Sequence, residues 1–450
     1  MNVAIAKTAA EKALGERFED VHGKLPGGDD VADVRRKAFG VLMALGLPHR
    51  RVEEWKYTDL RARLKSVGMI DPDHRASLAA SKLDTALGPL ADVQAVRVVL
   101  VDGVYSAELS TRELPDAIKI TPLSEALAAD ASVLTGENAL QREADESVVA
   151  LNTAFATDGA VIEIATGATV AKPIMLVQVR SGDEARISAT RNVVKVGAGA
   201  KVTLVEAIVS VGDASATADD GAVLNTATRI SVGDGAHVTH VSSNTDRGAV
   251  HLGTWSADIG AETVYRPFYF SASPALARNQ LFLTFAGEGA ALDASGCFLA
   301  RGREHIDNTL LIDHAVPACE SRELFKGVLD DTARGIFQGK VVVRKIAQKT
   351  DGKQMAQALM LSPTCEFDSK PELEIYADDV VCGHGSTCAE IDPDLVFYFR
   401  SRGIPEATAR ALLMESFVGE AIEQIEDEPV ADAISELARG WLNDLRADAA

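Results

Sequence analysis

The spacing of apolar positions changes twice along the chain. Near the start, Val31, Val34, Ala38, Val41, Leu42 and Leu45 recur at helical intervals, and Gly46 and Pro48 follow as a left-handed stop and a breaker. A helix is predicted to end there. Pro122, with Glu125 in the first turn, opens a second short helix over 123–134. Between the two, VRVVLVDGVYS reads as a strand running into a turn.

From about residue 155 to 380 helical spacing gives way to short alternating runs punctuated by glycine. Three nine-residue windows superimpose without gaps: IEIATGATV at 162–170, VKVGAGAKV at 194–202 and ISVGDGAHV at 230–238. Each reads apolar, any, apolar, two of any kind, Gly, Ala, any, Val. LTFAGEGAAL at 283–292 repeats the pattern with one insertion, and IGAETV at 259–264 is a degenerate copy. The first three start 32 and 36 residues apart, a spacing that signals stacked units.

Two apolar side chains flanking a polar one face one side of a strand, glycine turns the corner, and the next valine begins another inward-facing strand. One such coil cannot bury its inner face; stacked coils bury a continuous column. The pattern therefore predicts a mainly β chain folded as a β-helix solenoid. A sandwich would show hairpin turns every ~8 to 12 residues.

Helical spacing returns near the C-terminus. Pro405 and Glu406 start a helix with Ala409, Leu412, Leu413, Ser416, Phe417 and Ala421 on one stripe. Pro429 interrupts it, and Val430, Ile434, Leu437 and Trp441 form a second stripe opposite Asp432, Glu436 and Asp444. Two such helices either cover a solenoid end or offer a surface to another protein.

The 450 residues carry 45 Lys and Arg against 66 Asp and Glu, a net charge of −21 that repels phosphate backbones and argues against nucleic acid as a partner. With 47% hydrophobic residues the chain has ample material for a core. No uncharged apolar run reaches the 18 residues of a membrane span. The opening segment, with Glu11, Glu16, Glu19 and Asp20, fits neither a secretory nor a transit signal, so a cytoplasmic location is expected. Five cysteines, an odd number, point to free thiols in a reducing compartment.

Phosphate-loop, dinucleotide, nucleophile-elbow and HExxH signatures are absent, so nucleotide hydrolysis is not expected of this chain. Candidate chemistry gathers in DDVVCGHGSTCAEID, residues 378–392, where Cys382, His384 and Cys388 lie within seven residues. Thiolate and imidazole suit zinc, iron and iron–sulfur clusters. The spacing C-x-H-x3-C is not a usual structural zinc pattern, and Cys365 stands upstream without a CxxC partner. Two readings follow: a glycine-bearing turn with thiols as small hydrophobes, or an incomplete ligand set that a second chain finishes. Cys297 and Cys319 read as core, His237, His240, His305 and His314 as structural strand histidines, and Glu53 to Tyr57 as a packed corner.

Several separated segments, in order, resemble the SufB/SufD family of iron–sulfur cluster assembly proteins. They are SRELFKGVLDDTARGIFQGKVVVRKIAQKTDGKQ (321–354), SKPELEIYADDVVCGHGSTC (369–388) and FYFRSRGI (397–404), preceded by GLPHRRVEEWKYTDL (46–60) and LNTAFATDGAVIEI (151–164). The likeness runs from about residue 31 to 425. CGHG and EEWKYT follow the SufD branch, and residues 351–364 lack the cysteine that the SufB branch carries there.

The resemblance implies a right-handed parallel β-helix, expected over 91–385, between N-terminal (1–90) and C-terminal (386–450) helical regions. It implies a noncatalytic scaffold subunit that supplies iron and pairs with a SufB-like β-helix subunit and a SufC-like ABC ATPase. A transient iron–sulfur cluster is expected at the SufB interface, with the motif histidine, His384, as cluster and metal ligand and Cys382 as its neighbour. Cys388 departs from the family pattern. Phe397, Arg400, Arg402, Leu412, Leu413 and Phe417 fall in the region that docks the ATPase. The resemblance leaves open a reduced flavin in the complex and a homodimer of the isolated chain, and implies no group held tightly by the chain alone. Rival readings are a SufB-like primary scaffold, a zinc-stabilised scaffold, and a β-helix enzyme acting on polysaccharide, which the acidic charge disfavours.

Overall fold

The computed structural model describes residues 6–182, 184–211 and 218–448. From β4 on, successive strands alternate between two sheets. The first sheet holds β1 (Val96–Val101), β2 (Val104–Tyr105), β5 (Ile174–Arg180), β7 (Lys201–Ser210) and β9 (His237–Asn244). It continues through β11 (Val264–Ala272), β13 (Ala291–Ala300), β15 (Glu320–Leu329), β17 (Asp351–Met360) and β19 (Val381–Ala389). The second holds β3 (Ile118–Pro122), β4 (Ala160–Ile164), β6 (Ile187–Val196), β8 (Val223–Val232) and β10 (Val250–Ile259). It ends with β12 (Leu276–Phe285), β14 (His305–His314), β16 (Arg334–Val343) and β18 (Glu366–Ile375).

From β6 onward each strand pairs in parallel with the strand two places earlier, so the chain winds as a parallel β-solenoid. The repeat windows found in the sequence are its corners. Their apolar pairs join one in-register column: Ile162, Val194, Ile230, Ala257, Leu283, Ile312, Val341 and Leu373. Each fully buried Ile, Val or Leu of such a column contributes roughly 1.5 to 3 kcal/mol.

The chain leaves the second sheet through a residue in the left-handed region at seven successive corners: Gly167, Gly199, Gly235, Glu262, Gly289, Ala318 and Lys349. Glycine adopts that backbone freely. Glu262, Ala318 and Lys349 adopt it at a cost of about 1 kcal/mol each, offset by the coils stacked on either side.

The helices lie along the flat outer faces. On the second sheet, α1 (Ala9–Val21), α2 (Asp29–Leu45) and α6 (Ser147–Phe155) bring Leu14, Phe18, Leu42 and Phe155 against Ile187, Val223 and Leu252. The motif residue Trp55 is buried there: its Nε1 donates to Glu146 Oε2 at 2.8 Å and the Arg278 guanidinium sits 3.9 Å over its ring. Short α3 (Leu60–Arg63) and α4 (Ala80–Leu87) precede β1, and α5 (Leu123–Ala129) lies between β3 and β4.

At the other terminus, α7 (Pro393–Ser401) leads to α8 (Glu406–Ile422) and α9 (Glu428–Asp448), which bury Met414, Val418, Ile422, Val430, Ile434 and Trp441 against Val205, Phe268, Phe270 and Val328 of the first sheet. The predicted stripe of α8 is corrected: its buried face runs through Ala409, Met414, Val418 and Ala421, and Leu412 points outward, 42% exposed. The sheet offers a flat apolar floor, and the helix turns its Met and Val side chains onto it. Pro429 sits in the first turn of α9. No helix among the described residues is long and apolar enough to cross a membrane.

Candidate functional site

At one end the sheets finish in β2 and β3, each paired antiparallel with its neighbour. At the other they finish in β19 and β18, and there no described helix covers the last coil: both strands are exposed or half-buried along their whole length. Beyond β17 and β16, these strands have no further partner strand among the described residues. Two edges of backbone N–H and C=O groups therefore stand open side by side.

Cys382, His384 and Cys388 all lie on β19, paired in register with Gly352, Gln354 and Ala358 of β17. Ala356 and Ala358 belong to the inner core, so the even-numbered residues of β19 share the face directed at the lumen. Cys382 is half-buried and packs against that core, His384 is exposed at the rim, and Cys388 lies further along, also exposed. The flanking Gly383 and Gly385 leave the imidazole without bulky neighbours on its own strand. Burial, with smaller contributions from Asp351 and Glu323, raises the Cys382 thiol above its usual range, and the Gly352 backbone opposes the rise. A thiol so placed keeps its proton until a metal displaces it.

Among the described residues, no group of three or more His, Cys, Asp or Glu side chains is arranged to hold a metal. Cys297, Cys319 and Cys365 are buried in the body of the fold, the last donating weakly to the Leu329 carbonyl at 3.4 Å. His240 bridges Glu206 and Tyr265 at 3.0 Å each, and His305 accepts from Arg63 and contacts Thr58, so both serve internal networks.

The residues expected at the ATPase surface divide into two groups. Phe397 is 71% exposed on α7, Arg402 stacks over Tyr398 at 4.2 Å, Arg400 pairs with Glu406 at 3.2 Å, and Leu412 is nearby in sequence on α8. Leu413 and Phe417 instead turn toward the first sheet, where Lys326 of β15 lies 4.4 Å over the Phe417 ring and pairs with Glu420.

Sequence reasoning passed over Glu323 and Gln354, which lie two strands and one strand behind His384 in the same column. Burial pushes the Glu323 carboxyl up to about 8; Gln354 and Ser321 favour its charged form, but less than burial opposes it. The available signal was the alternation of SRELF, which puts Ser321, Glu323 and Phe325 on one face.

The fold and the site define a parallel β-solenoid with an uncovered end that carries one imidazole and one thiol at its rim. The chain belongs to the SufBD family: residues 178–417 match the core domain described as SUF system FeS cluster assembly, SufBD core domain, and residues 25–176 match the SufBD protein N-terminal region. It is 32% identical to the iron–sulfur cluster assembly SufBD family protein slr0076 of Synechocystis, over 88% of this chain and 87% of that one. It is 30% identical to the iron–sulfur cluster assembly protein SufD of Escherichia coli, over 86% and 87% respectively. The chloroplastic protein ABCI7 of Arabidopsis thaliana is 25% identical over 95% and 90%.

Proposed function

We propose that this chain is the SufD-type noncatalytic subunit of a cytoplasmic iron–sulfur assembly complex. It pairs with a second, SufB-like β-solenoid through the open edges of β18 and β19. His384, with Cys382 beside it, joins thiolates of that partner to hold a nascent cluster and supply its iron. A SufC-like ABC ATPase docks on the outward side of α7 and α8, at Phe397, Arg400, Arg402 and Leu412, with Leu413 and Phe417 anchoring α8 from behind. Hydrolysis resides in that ATPase.

The observation that carries this reading is the coincidence of the candidate ligands with the uncovered end: Cys382 and His384 sit on the parallel-paired edge strand of the first sheet, whose outer edge has no partner among the described residues. Adding a strand there satisfies the edge and brings foreign side chains next to His384. Two ligands from this chain bind iron weakly, and weak binding suits a cluster that must leave.

The test is iron and acid-labile sulfide content of the complex co-expressed with both partners. His384→Ala is expected to lower cluster loading severalfold while the three chains still co-purify. Unchanged loading would remove His384 from the reaction, and loss of co-purification with an intact His384 but a β19 edge blocked by Ser386→Pro, whose N–H faces away from β17 by alternation from Val381, would support the pairing surface.

A further inference from the structure

Near its open end the solenoid lumen stops being apolar. The first sheet's inner column runs Ala294, Glu323, Gln354, His384, and the neighbouring one Leu292, Ser321, Gly352, Cys382. Glu323 and Gln354 are each 2% exposed. Neither carboxylate oxygen of Glu323 and neither amide atom of Gln354 reaches a partner with full hydrogen-bond geometry among the described residues, although Gln354 and Ser321 lie close enough to favour the charged carboxylate, and no described ion pair includes Glu323. In the coil beneath, His314 is buried with Nε2 3.1 Å from Ser321 Oγ and Nδ1 unpartnered.

Each unsatisfied buried polar group costs about 1 to 3 kcal/mol, so five such atoms on three neighbouring residues are retained against a steady penalty. Two glycines let side chains approach closely here. A Cβ on Gly352 would stand 3.4 Å from Ser321 Oγ and 3.6 Å from Cys382 Sγ, and one on Gly339 would stand 2.8 Å from the Phe337 ring and 3.1 Å from Gln354 Nε2. One rung away, the in-register partner of Gly339 is Leu310.

A carboxylate, an amide oxygen and a hydroxyl are oxygen donors suited to a divalent cation that keeps part of its water shell. A bound cation is also the charge that a buried carboxylate without a counter-ion lacks. Resting on the assembly reading above, we propose that Glu323 and Gln354 form an inner station for a divalent cation of the ferrous class, behind the rim ligands Cys382 and His384. Strands stack about 4.8 Å apart, so the station lies roughly 5 to 10 Å inward of His384, within one transfer step. Loading displaces the Glu323 proton to solvent; transfer to the rim lets it return, with no change in oxidation state.

The experiment is an anaerobic Co2+ titration of the purified full chain, without partners, followed by calorimetry and visible absorption. Wild type is expected to bind one ion with weak d–d bands and no thiolate charge-transfer band. Glu323→Gln and, separately, Gln354→Leu should each weaken this binding ~10-fold or more, while Cys382→Ser and His384→Ala leave it in place. Amide exchange over 320–329 checks that the variants keep their fold. Undiminished affinity in Glu323→Gln, a strong thiolate band, or no binding by wild type would each overturn the station. The lone chain's isotherm is independent of cluster loading in the complex, so failure of the inner station and failure of the His384 assembly role show up in different measurements.

Discussion

Replacing Glu323 by glutamine removes a proton-binding group whose titration the fold opposes. Burial raises this carboxyl from its ordinary 4.5 to about 8. Below pH 4.5 both folded and unfolded chains hold the proton, and the group leaves the balance unaffected. As pH rises, the unfolded chain releases its proton first while the folded chain keeps it, so native stability falls until about pH 8 and is then level. At about 1.4 kcal/mol per pH unit, the wild type loses about 3 kcal/mol by pH 7 and about 5 kcal/mol above pH 8. Glutamine cannot ionise, so the variant should gain on wild type by those amounts as pH rises, whatever constant offset its own unpaired amide introduces. Urea melts in chelator at pH 5, 7 and 8.5, with amide exchange over 320–329, read this difference. Parallel pH curves for the two proteins would refute the reasoning, because they would mean that Glu323 is already ionised in the native lumen.

On the acid side, burial lowers His251 and His314 to about 4, so they stay neutral in the fold while the unfolded chain protonates below 6.5. Stability should fall between pH 6.5 and 4 by about 3 kcal/mol for each, and His314→Asn should flatten that limb by one proton in urea midpoints. Gly159→Ala places a methyl 1.8 Å from the Arg191 carbonyl oxygen at a φ of +156°, and should cost on the order of 4 kcal/mol or abolish soluble expression. Gly182→Ala, with nothing within 4 Å of the added carbon, is the matched substitution expected to change the melt by less than about 0.5 kcal/mol.

The solenoid was readable because three early corners use the same chemistry. Ile162, Val194 and Ile230 face inward, and Gly167, Gly199 and Gly235 take the left-handed turn with φ near 67°. Later corners keep the geometry but change the residue, to Glu262, Ala318 and Lys349, so their repeat is spatial without being legible in sequence. The opposite corners vary in length, three residues between β11 and β12 against five between β9 and β10, and supplied no pattern. Amphipathic spacing found α2, α8 and α9, but it placed Leu412 on the buried face of α8 because period alone does not fix the rotation of a helix against a sheet. The α1 helix, held by a capping box between Thr8 and Glu11, has few apolar residues and was passed over.

Cys382 and His384 were legible as a motif, and their position at an uncovered end was not. No feature of residues 378–392 tells whether another coil follows. Glu323 was hidden for a different reason: in SRELF the eye takes the charged residues as the solvent face, whereas Arg322 is the one that looks outward, reaching Asp351 at 2.7 Å. A buried acid breaks the alternation rule at the place where chemistry is expected to concentrate.

The bare rims of β18 and β19 also bear on how the protein is made. Any extended segment can dock on an unsatisfied strand, so a molecule whose rims stay bare is exposed to misassociation that a firmer interior would do nothing to prevent. Under the pairing proposed above, matched dosage of the second solenoid and prompt encounter with it would be the physical safeguard.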